Sequence, residues 1–290
     1  MLDLTAQLIE LMRLASTDLP ADVEQALNDA HAQEALGSPA QGVLDSILLN
    51  TALAREHATP ICQDTGTPIF YVKYPLGWST RSLGAQIRAA LIDATKSSFL
   101  RPNAVETLSG VNTGDNSGDA YYPVIHFEEV EGTQLTIDLM LKGGGCENVG
   151  AQYTLPDVEL NAGRDLAGVR KVVLHAVHKA QGRGCAPGVL GVAVGGDRSS
   201  SNQASKDVLL RPLSDRHSDP ELADYEEQLT REANTLGIGP MGFGGATTLL
   251  GTKIIVLHRL PASYFVSISY MCWAFRRRRM IVEGTQVTYA

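Results

Sequence analysis

Three of the four cysteines of this 290-residue chain lie in glycine-rich or polar segments, a setting that suits metal ligands. Cys62 lies in PICQDTG, Cys146 closes KGGGC, and Cys185 lies in GRGCAPG. Glycine lets the main chain approach a bulky inorganic group closely, because it has no Cβ atom. The three cysteines are far apart in sequence, so a shared site requires three distant loops to converge. The alternative is that they are ordinary buried thiols.

The fourth cysteine, Cys272, lies in the apolar run SISYMCWAF, which is typical of core packing. Three thiolates complete a structural zinc site only if a histidine joins them. They also suit a four-iron cluster that keeps one iron without a protein ligand, which is the open position that Lewis-acid catalysis requires. The spacing alone does not separate zinc from iron.

The elements that must position these loops alternate between helices and strands. Apolar periodicity predicts that residues 1–58 are mainly helical, with a first helix that ends near residues 16–18 and a second over 43–54, and it predicts further helices over 81–98 and 169–181. The charged stretch 220–234 is also predicted to be helical. The apolar pattern predicts strands over residues 123–130, 135–141, 188–194 and 252–257. We therefore expect an α/β (mixed α+β) fold, with a helical N-terminal segment followed by mixed sheets and long glycine-rich loops around a metal cluster. No linker divides residues 1–290, so a single catalytic region, built as one body or two lobes, is expected.

The composition is that of a folded, acidic protein. Of its residues, 44% are apolar and 19% are charged, and the formal net charge is −8, which argues against a general nucleic-acid-binding role. The N-terminus lacks the basic segment of a signal peptide, and no apolar run reaches the roughly 18 residues of a membrane span. We expect a cytoplasmic protein with reduced thiols and no membrane contact. The basic run Arg276–Arg279 is expected to be a solvated or partner-facing patch.

Further motifs carry a resemblance to a known family. They are RPNAV at 101–105, NTGDN at 112–116, LGIGPMGFGG at 236–245 and CWA at 272–274. Together with the three cysteine loops, and in this order along residues 5–277, the chain resembles class I fumarate hydratase. More narrowly, it resembles the α subunit of the two-subunit form of that enzyme.

The resemblance implies a chemistry for these loops. It implies a [4Fe–4S] cluster on Cys62, Cys146 and Cys185, whose open iron acts as a Lewis acid in the reversible hydration of fumarate to (S)-malate. Asp64 is the implied acid–base residue, with the capping of a turn at Thr65 and Gly66 as the alternative. Arg101 is implied to clamp a substrate carboxylate, with a surface salt bridge as the alternative. The other implied substrate contacts are Gln63, Asn112, Thr113 and Gly114.

The resemblance also implies a missing half. Single-chain relatives are about twice as long, so a separate β subunit is expected to complete the active site around a small dicarboxylate substrate. A heterotetramer, or a homodimer of this chain, is the expected assembly. The rival hypotheses are the α subunit of L(+)-tartrate dehydratase and a non-catalytic, metal-stabilised binding subunit. Nucleotide binding is rejected, because Gly143–Gly145 lacks the pattern of a phosphate-binding loop.

Overall fold

Helices dominate the first 57 residues, and two separate mixed sheets follow. A computed structural model describes residues 2–290; Met1, with which the predicted N-terminal helix begins, lies outside this range. In chain order the helices are α1 (Thr5–Thr17), α2 (Ala21–Gln33), α3 (Pro39–His57), α4 (Thr80–Lys96), α5 (Gly144–Asn148), α6 (Leu166–Ala180), α7 (Arg198–Asp207) and α8 (Pro220–Asn234). The strands are β1 (Thr67–Pro75), β2 (Val124–Val130), β3 (Leu135–Lys142), β4 (Ala151–Thr154), β5 (Gly188–Val194), β6 (Leu249–Val256), β7 (Phe265–Met271), β8 (Arg276–Glu283) and β9 (Gln286–Tyr289).

The predicted fold class, a mixed α/β fold with N-terminal helices followed by mixed sheets, is confirmed. Helix α8 and strand β5 have the bounds that the sequence predicts. The predicted helix over residues 81–98 is one residue longer at its start and two shorter at its end. Strands β1 and β8 were not predicted. Within residues 2–290, no helix has the length and apolar character needed to cross a membrane.

The chain divides into two compact units. The first unit comprises the residues up to Pro20, Leu49–Gly144 and Ala274–Ala290. The second unit comprises Ala21–Leu48 and Gly145–Trp273. The prediction that the whole chain forms one catalytic region stays a prediction.

The first unit contains a five-stranded sheet of order β2-β1-β3-β8-β9. Strands β1 and β2 are parallel and are joined by a crossover that contains α4, whereas the other pairs are antiparallel. Helix α1 repeats apolar residues at helical spacing, and Leu8, Leu11 and Met12 are fully buried in the same cluster as residues of α4 and β3. This core supports the sheet from which the site loops extend.

The second unit contains a four-stranded sheet of order β4-β7-β5-β6. Strands β5 and β6 are parallel, with α7 and α8 in the connection between them. Every residue of β5 (GVLGVAV) is buried, which explains its uninterrupted apolar sequence. Strand β7 lies between β4 and β5 and ends just before Cys272.

The arginine run lies in β8, between β3 and β9 of the first sheet. Arg276 is 0% exposed and Arg277 is 8% exposed, so the prediction of a solvated or partner-facing patch is wrong for these two residues. Arg279 is half exposed, and its Nε atom donates to Asp138 on the neighbouring strand at 2.6 Å. Sequence reasoning failed here because the acceptors for these arginines lie far away along the chain.

Two glycines with left-handed backbone flank strand β1. Gly66 precedes the strand with a φ of +80°, and a Cβ atom there would lie 2.6 Å from the carbonyl carbon of Lys142. Gly77 follows the strand with a φ of +95°, and its Cβ position has no heavy atom within 4 Å. The first glycine is therefore required both by conformation and by close packing of two backbones, and the second by conformation alone.

We predict that Gly66→Ala lowers the free energy of unfolding by about 3 kcal/mol or more, because the left-handed φ costs roughly 1–2 kcal/mol and the backbone clash adds to it. Gly77→Ala is the matched control and should cost only about 1 kcal/mol, because it has the φ penalty without the clash. Urea unfolding followed by circular dichroism measures both. Equal losses in the two variants would contradict the packing role of Gly66.

Candidate active site

The loop Cys62–Gly66 lies between α3 and β1, and Asp64 is fixed in it by three hydrogen bonds. Its Oδ1 atom accepts the N–H of Gly66 at 2.9 Å, and its Oδ2 atom accepts the N–H of Gly144 at 2.7 Å. Its main-chain carbonyl accepts a hydrogen bond from Nη1 of Arg276 at 2.8 Å. Asp64 therefore caps the turn at Gly66 and also binds the residue that begins α5. Its carboxylate is held in one place.

Thr65 joins the Asp64 loop to the segment that contains Arg101. Its buried Oγ1 atom accepts the main-chain N–H of Arg101 at 3.1 Å and the side-chain amide of Asn103 at 3.2 Å. The side chain of Arg101 is exposed, and no hydrogen bond or ion pair joins its guanidinium to another residue within 2–290. Gln63 is likewise exposed. The structure thus brings Asp64 and Arg101, separated in sequence, into one region of the first unit.

Asn116 is the buried hub of the segment that begins at Arg101. Its Oδ1 atom accepts the N–H groups of Asn103 at 2.7 Å and Ala104 at 3.1 Å. Its Nδ2 atom donates to the carbonyl of Arg101 at 2.7 Å and to Oγ1 of Thr95 at 2.9 Å. Asn116 is only 2% exposed, so these four bonds replace water at both ends of its amide. In the sequence this residue is only the last position of the NTGDN motif, and no structural role was predicted for it.

Tyr122 is a further residue near Asp64 that sequence reasoning missed. Burial raises the pKa of Tyr122 to about 12, and the negative charge of Asp64 adds to the shift. The phenol is therefore neutral at neutral pH and keeps its proton beside the carboxylate. Its hydroxyl lies 3.4 Å from Oδ1 of Asn116.

The segment Asn112–Gly114 is exposed and lies in the same loop as Arg101. The side-chain amide of Asn112 donates to the carbonyl of Pro102 at 2.6 Å, and its oxygen accepts the N–H of Gly114 at 2.8 Å. The N–H of Thr113 donates to the carbonyl of Ala104 at 2.9 Å. These groups stabilise the loop internally, and their contact with a substrate stays a prediction.

In the second unit, Cys146 and Cys185 both approach the end of strand β7. The Sγ atom of Cys146, in α5, lies 4.0 Å from Sδ of Met271, the last residue of that strand. The carbonyl of Cys185 accepts the N–H of Trp273 at 3.2 Å. Cys146 is buried, whereas Cys185 is half-buried and has a left-handed backbone with a φ of 56°. Cys62 is half-buried and belongs to the first unit.

Tyr270 is the common neighbour of the thiols in the second unit. It is 2% exposed, and a Cβ atom at Gly188 would lie 2.3 Å from its Cζ atom, so glycine is needed there. Burial raises the pKa of Tyr270, and electrostatic interaction with the nearby Cys272, Cys146 and Cys185 adds to the shift. Cys146 is more buried than Cys272, so burial does not distinguish a ligand from a packing thiol here.

The glycine-rich segment Leu236–Gly245 packs on the loop that contains Cys185. The N–H of Met241 donates to the carbonyl of Ala186 at 2.8 Å, and a Cβ atom at Gly182 would lie 2.6 Å from the carbonyl oxygen of Met241. The motif therefore supports a cysteine loop. Across residues 2–290, no group of three or more His, Cys, Asp or Glu side chains is arranged to hold a single metal ion.

This chain is similar to known proteins along nearly its whole length. Residues 5–281 match the family model described as fumarate hydratase (Fumerase). A protein of Geobacillus stearothermophilus named as a fumarate hydratase class I is 48% identical over 272 residues, which are 92% of this chain and 52% of that protein. The chain thus spans about half the length of this relative.

Two other relatives are named as L(+)-tartrate dehydratase subunit alpha. The protein of Methanocaldococcus jannaschii is 34% identical over 273 residues, which are 93% of this chain and 94% of that protein. The protein of Escherichia coli O157:H7 is 31% identical over 286 residues, which are 97% of this chain and 91% of that protein. These two relatives are matched over nearly their full lengths.

We predict that Asn116→Ala lowers the free energy of unfolding by about 2–4 kcal/mol, because several buried groups lose their partner. Asn116→Asp should also destabilise the protein, because the carboxylate accepts two N–H groups but no longer donates to Arg101 and Thr95. Asn112→Ala, at an exposed position of the same loop, is the control and should cost less than about 1 kcal/mol. Thermal and urea unfolding measure all three, and an Asn116→Ala loss equal to that of Asn112→Ala would contradict the hub role.

Proposed function

This chain belongs to the fumarate hydratase (Fumerase) family, and on that premise we propose that it is the α-type half of a hydro-lyase that reversibly hydrates fumarate to (S)-malate. The observation that carries the proposal is the family match over residues 5–281. The placement of Asp64 and Arg101 around Thr65 supports it, because a carboxylate and an exposed guanidinium suit proton transfer and the binding of a dicarboxylate.

We propose fumarate, in preference to L(+)-tartrate, as the substrate because sequence identity favours it. The relative named as a fumarate hydratase is 48% identical, against 34% and 31% for two relatives named as tartrate dehydratase subunits. L(+)-tartrate is the second candidate, since those subunits match this chain from end to end. (S)-Malate and L(+)-tartrate, the hydroxylated substrates of the two reactions, differ by one hydroxyl group, so a direct assay separates the two activities.

A separate β subunit is proposed to complete the active site. The chain corresponds to 52% of the fumarate hydratase relative but to 94% and 91% of the two relatives named as alpha subunits. The naming of these two relatives as alpha subunits supports a two-subunit organisation, with the remaining substrate contacts proposed to lie on the partner. A heterotetramer of two copies of each subunit is the proposed assembly.

The proposed cofactor is a [4Fe–4S] cluster held by Cys62, Cys146 and Cys185. Glycines adjoin both Cys146 and Cys185 and leave room for a bulky group, which supports this donor set. When bound through three cysteines, such a cluster supplies an open iron that acts as a Lewis acid. Zinc with an added histidine is the alternative that the cysteine spacing leaves open.

The remaining chemistry is assigned to side chains of the first unit. Arg101 is proposed to bind one carboxylate of the substrate. Gln63 is proposed to donate a hydrogen bond from its side-chain amide to another polar group of the substrate. Asp64 is proposed to move the proton at the carbon next to the one that bears the hydroxyl. That proton is weakly acidic, so nearby cations that stabilise the developing negative charge contribute strongly. Asn112, Thr113 and Gly114 are proposed as weaker substrate contacts.

We predict that the anaerobically purified chain is brown and contains iron and sulfide, and that Cys62→Ser, Cys146→Ser and Cys185→Ser each remove most of this iron. Cys272→Ser is the matched control and should retain it, because that thiol is assigned to packing. Metal analysis and visible absorption measure the outcome. Colourless wild-type protein that contains zinc would contradict the cluster proposal.

We predict that the chain co-purified with its β subunit hydrates fumarate, and that the cluster-loaded chain alone is slower by about 100-fold or more, because an incomplete site loses the positioning of its substrate. Assays with fumarate, (S)-malate and L(+)-tartrate identify the substrate. Full activity of the isolated chain would refute the half-site proposal, and preference for tartrate would establish the second candidate.

A further inference from the structure

Arg276 is a fully buried charged residue with few partners. It is 0% exposed and is the largest fully buried side chain among residues 2–290. A guanidinium carries five N–H donors, and its burial is costly unless charge and donors are matched. Its Nη1 atom donates to the carbonyl of Asp64 at 2.8 Å, whereas its Nε and Nη2 atoms are buried and make no hydrogen bond within residues 2–290.

Two other arginines of the same strand form ion pairs, unlike Arg276. Arg278 pairs with Asp18 at 3.0 Å, and Arg279 pairs with Asp138 at 2.6 Å. These two side chains are neutralised by carboxylates and fasten the strand to its neighbours. Arg276 has no such ion pair among the residues that the structure describes. A role in holding the strand alone does not explain why a charged residue is buried there.

The surroundings of Arg276 point to the Asp64 loop. A Cβ atom at Gly143 would lie 3.6 Å from Nη2 of Arg276 and 3.1 Å from Oδ2 of Asp64. The guanidinium and the carboxylate therefore border the same face of Gly143. The guanidinium thus contacts Asp64 at its main-chain carbonyl and borders the same glycine as the Asp64 carboxylate.

We propose that Arg276 is a positioning residue for Asp64. It holds the main chain of the Cys62–Gly66 loop through the Asp64 carbonyl, and its charge offsets that of the Asp64 carboxylate, which borders the same glycine. The inference rests on the proposed function for the role of Asp64 in proton transfer, but the holding of the loop is a property of this chain by itself. Arg276 is too buried to contact the substrate directly and acts through Asp64.

The first test measures the position of the loop in the full chain prepared without metal. The probe is the rate at which iodoacetamide alkylates Cys62, followed by mass spectrometry of its peptide, with Cys185 as the internal reference. We expect Arg276→Met to raise the Cys62 rate by about tenfold, because the loop opens more often. Arg276→Lys should give a smaller increase, since lysine keeps the charge but lacks the planar fork.

Arg279→Met is the matched control for this test. It removes an arginine of the same strand and an ion pair, but its partner Asp138 lies outside the Cys62–Gly66 loop. The alkylation rate of Cys62 in this variant should stay within about twofold of the wild-type rate, because the substitution lies away from the loop. If Arg276→Met does not fold, the comparison of Arg276→Lys with Arg279→Met decides. A Cys62 rate in Arg276→Lys equal to that of the control would overturn the proposal.

The second test uses the complete complex with its cofactor. We expect Arg276→Lys to lower kcat for fumarate by about tenfold with little change in KM, because a misplaced Asp64 weakens the transition state more than substrate binding. Arg279→Met should match the wild type in both constants. An unchanged kcat would overturn the positioning role. A wild-type complex without hydratase activity would refute the proposed function, whereas the alkylation test would still decide the role of Arg276.

Discussion

The fold of the first unit around its candidate site depends on the hydrogen bonds of Asp64. Its carboxylate connects the loop before β1 to the N–H of Gly144, just beyond the end of β3. Its main-chain carbonyl accepts a hydrogen bond from Arg276. Thr65, the next residue, extends this connection to Arg101. A residue proposed to move a proton therefore also holds three segments together. Under the proposed role, stability and catalysis are coupled at this position, since the carboxylate that holds the segments is the one assigned to proton transfer.

Much of the fold follows from local sequence, and the exceptions share one cause. Helix α8 begins after the capping residue Asp219 with Pro220 at its first turn, and β5 is a continuous apolar run, so both bounds were predictable. Strand β8 was not, because four consecutive arginines indicate a solvated surface. The acceptor of Arg276 lies 212 positions away and that of Arg279 lies 141 positions away. Burial of a charge is decided by such distant partners, which periodicity does not contain.

The candidate site divides in the same way. Asp64 and Arg101 were identified from motifs, and their placement around Thr65 is consistent with a shared site. Asn116 and Tyr122 were missed, because a buried amide hub and a phenol near a carboxylate have no local signature. The one hint in the sequence was a motif rich in turn-forming residues, in which Asn116 adopts a left-handed backbone. Cys146 and Cys272 are both buried, so only their different sequence surroundings support different roles for them.

The main-chain hydrogen bond from Trp273 to the carbonyl of Cys185 places a fluorescent residue beside the Cys185 loop. The chain has two tryptophans, and each unit contains one of them, Trp78 in the first and Trp273 in the second. Trp273 is half-buried and adjoins the Cys185 loop, so its fluorescence is sensitive to groups that absorb light near that loop. Trp78 reports on the unit that contains Asp64. The native sequence thus carries a separate fluorescent reporter for each unit, without any added label.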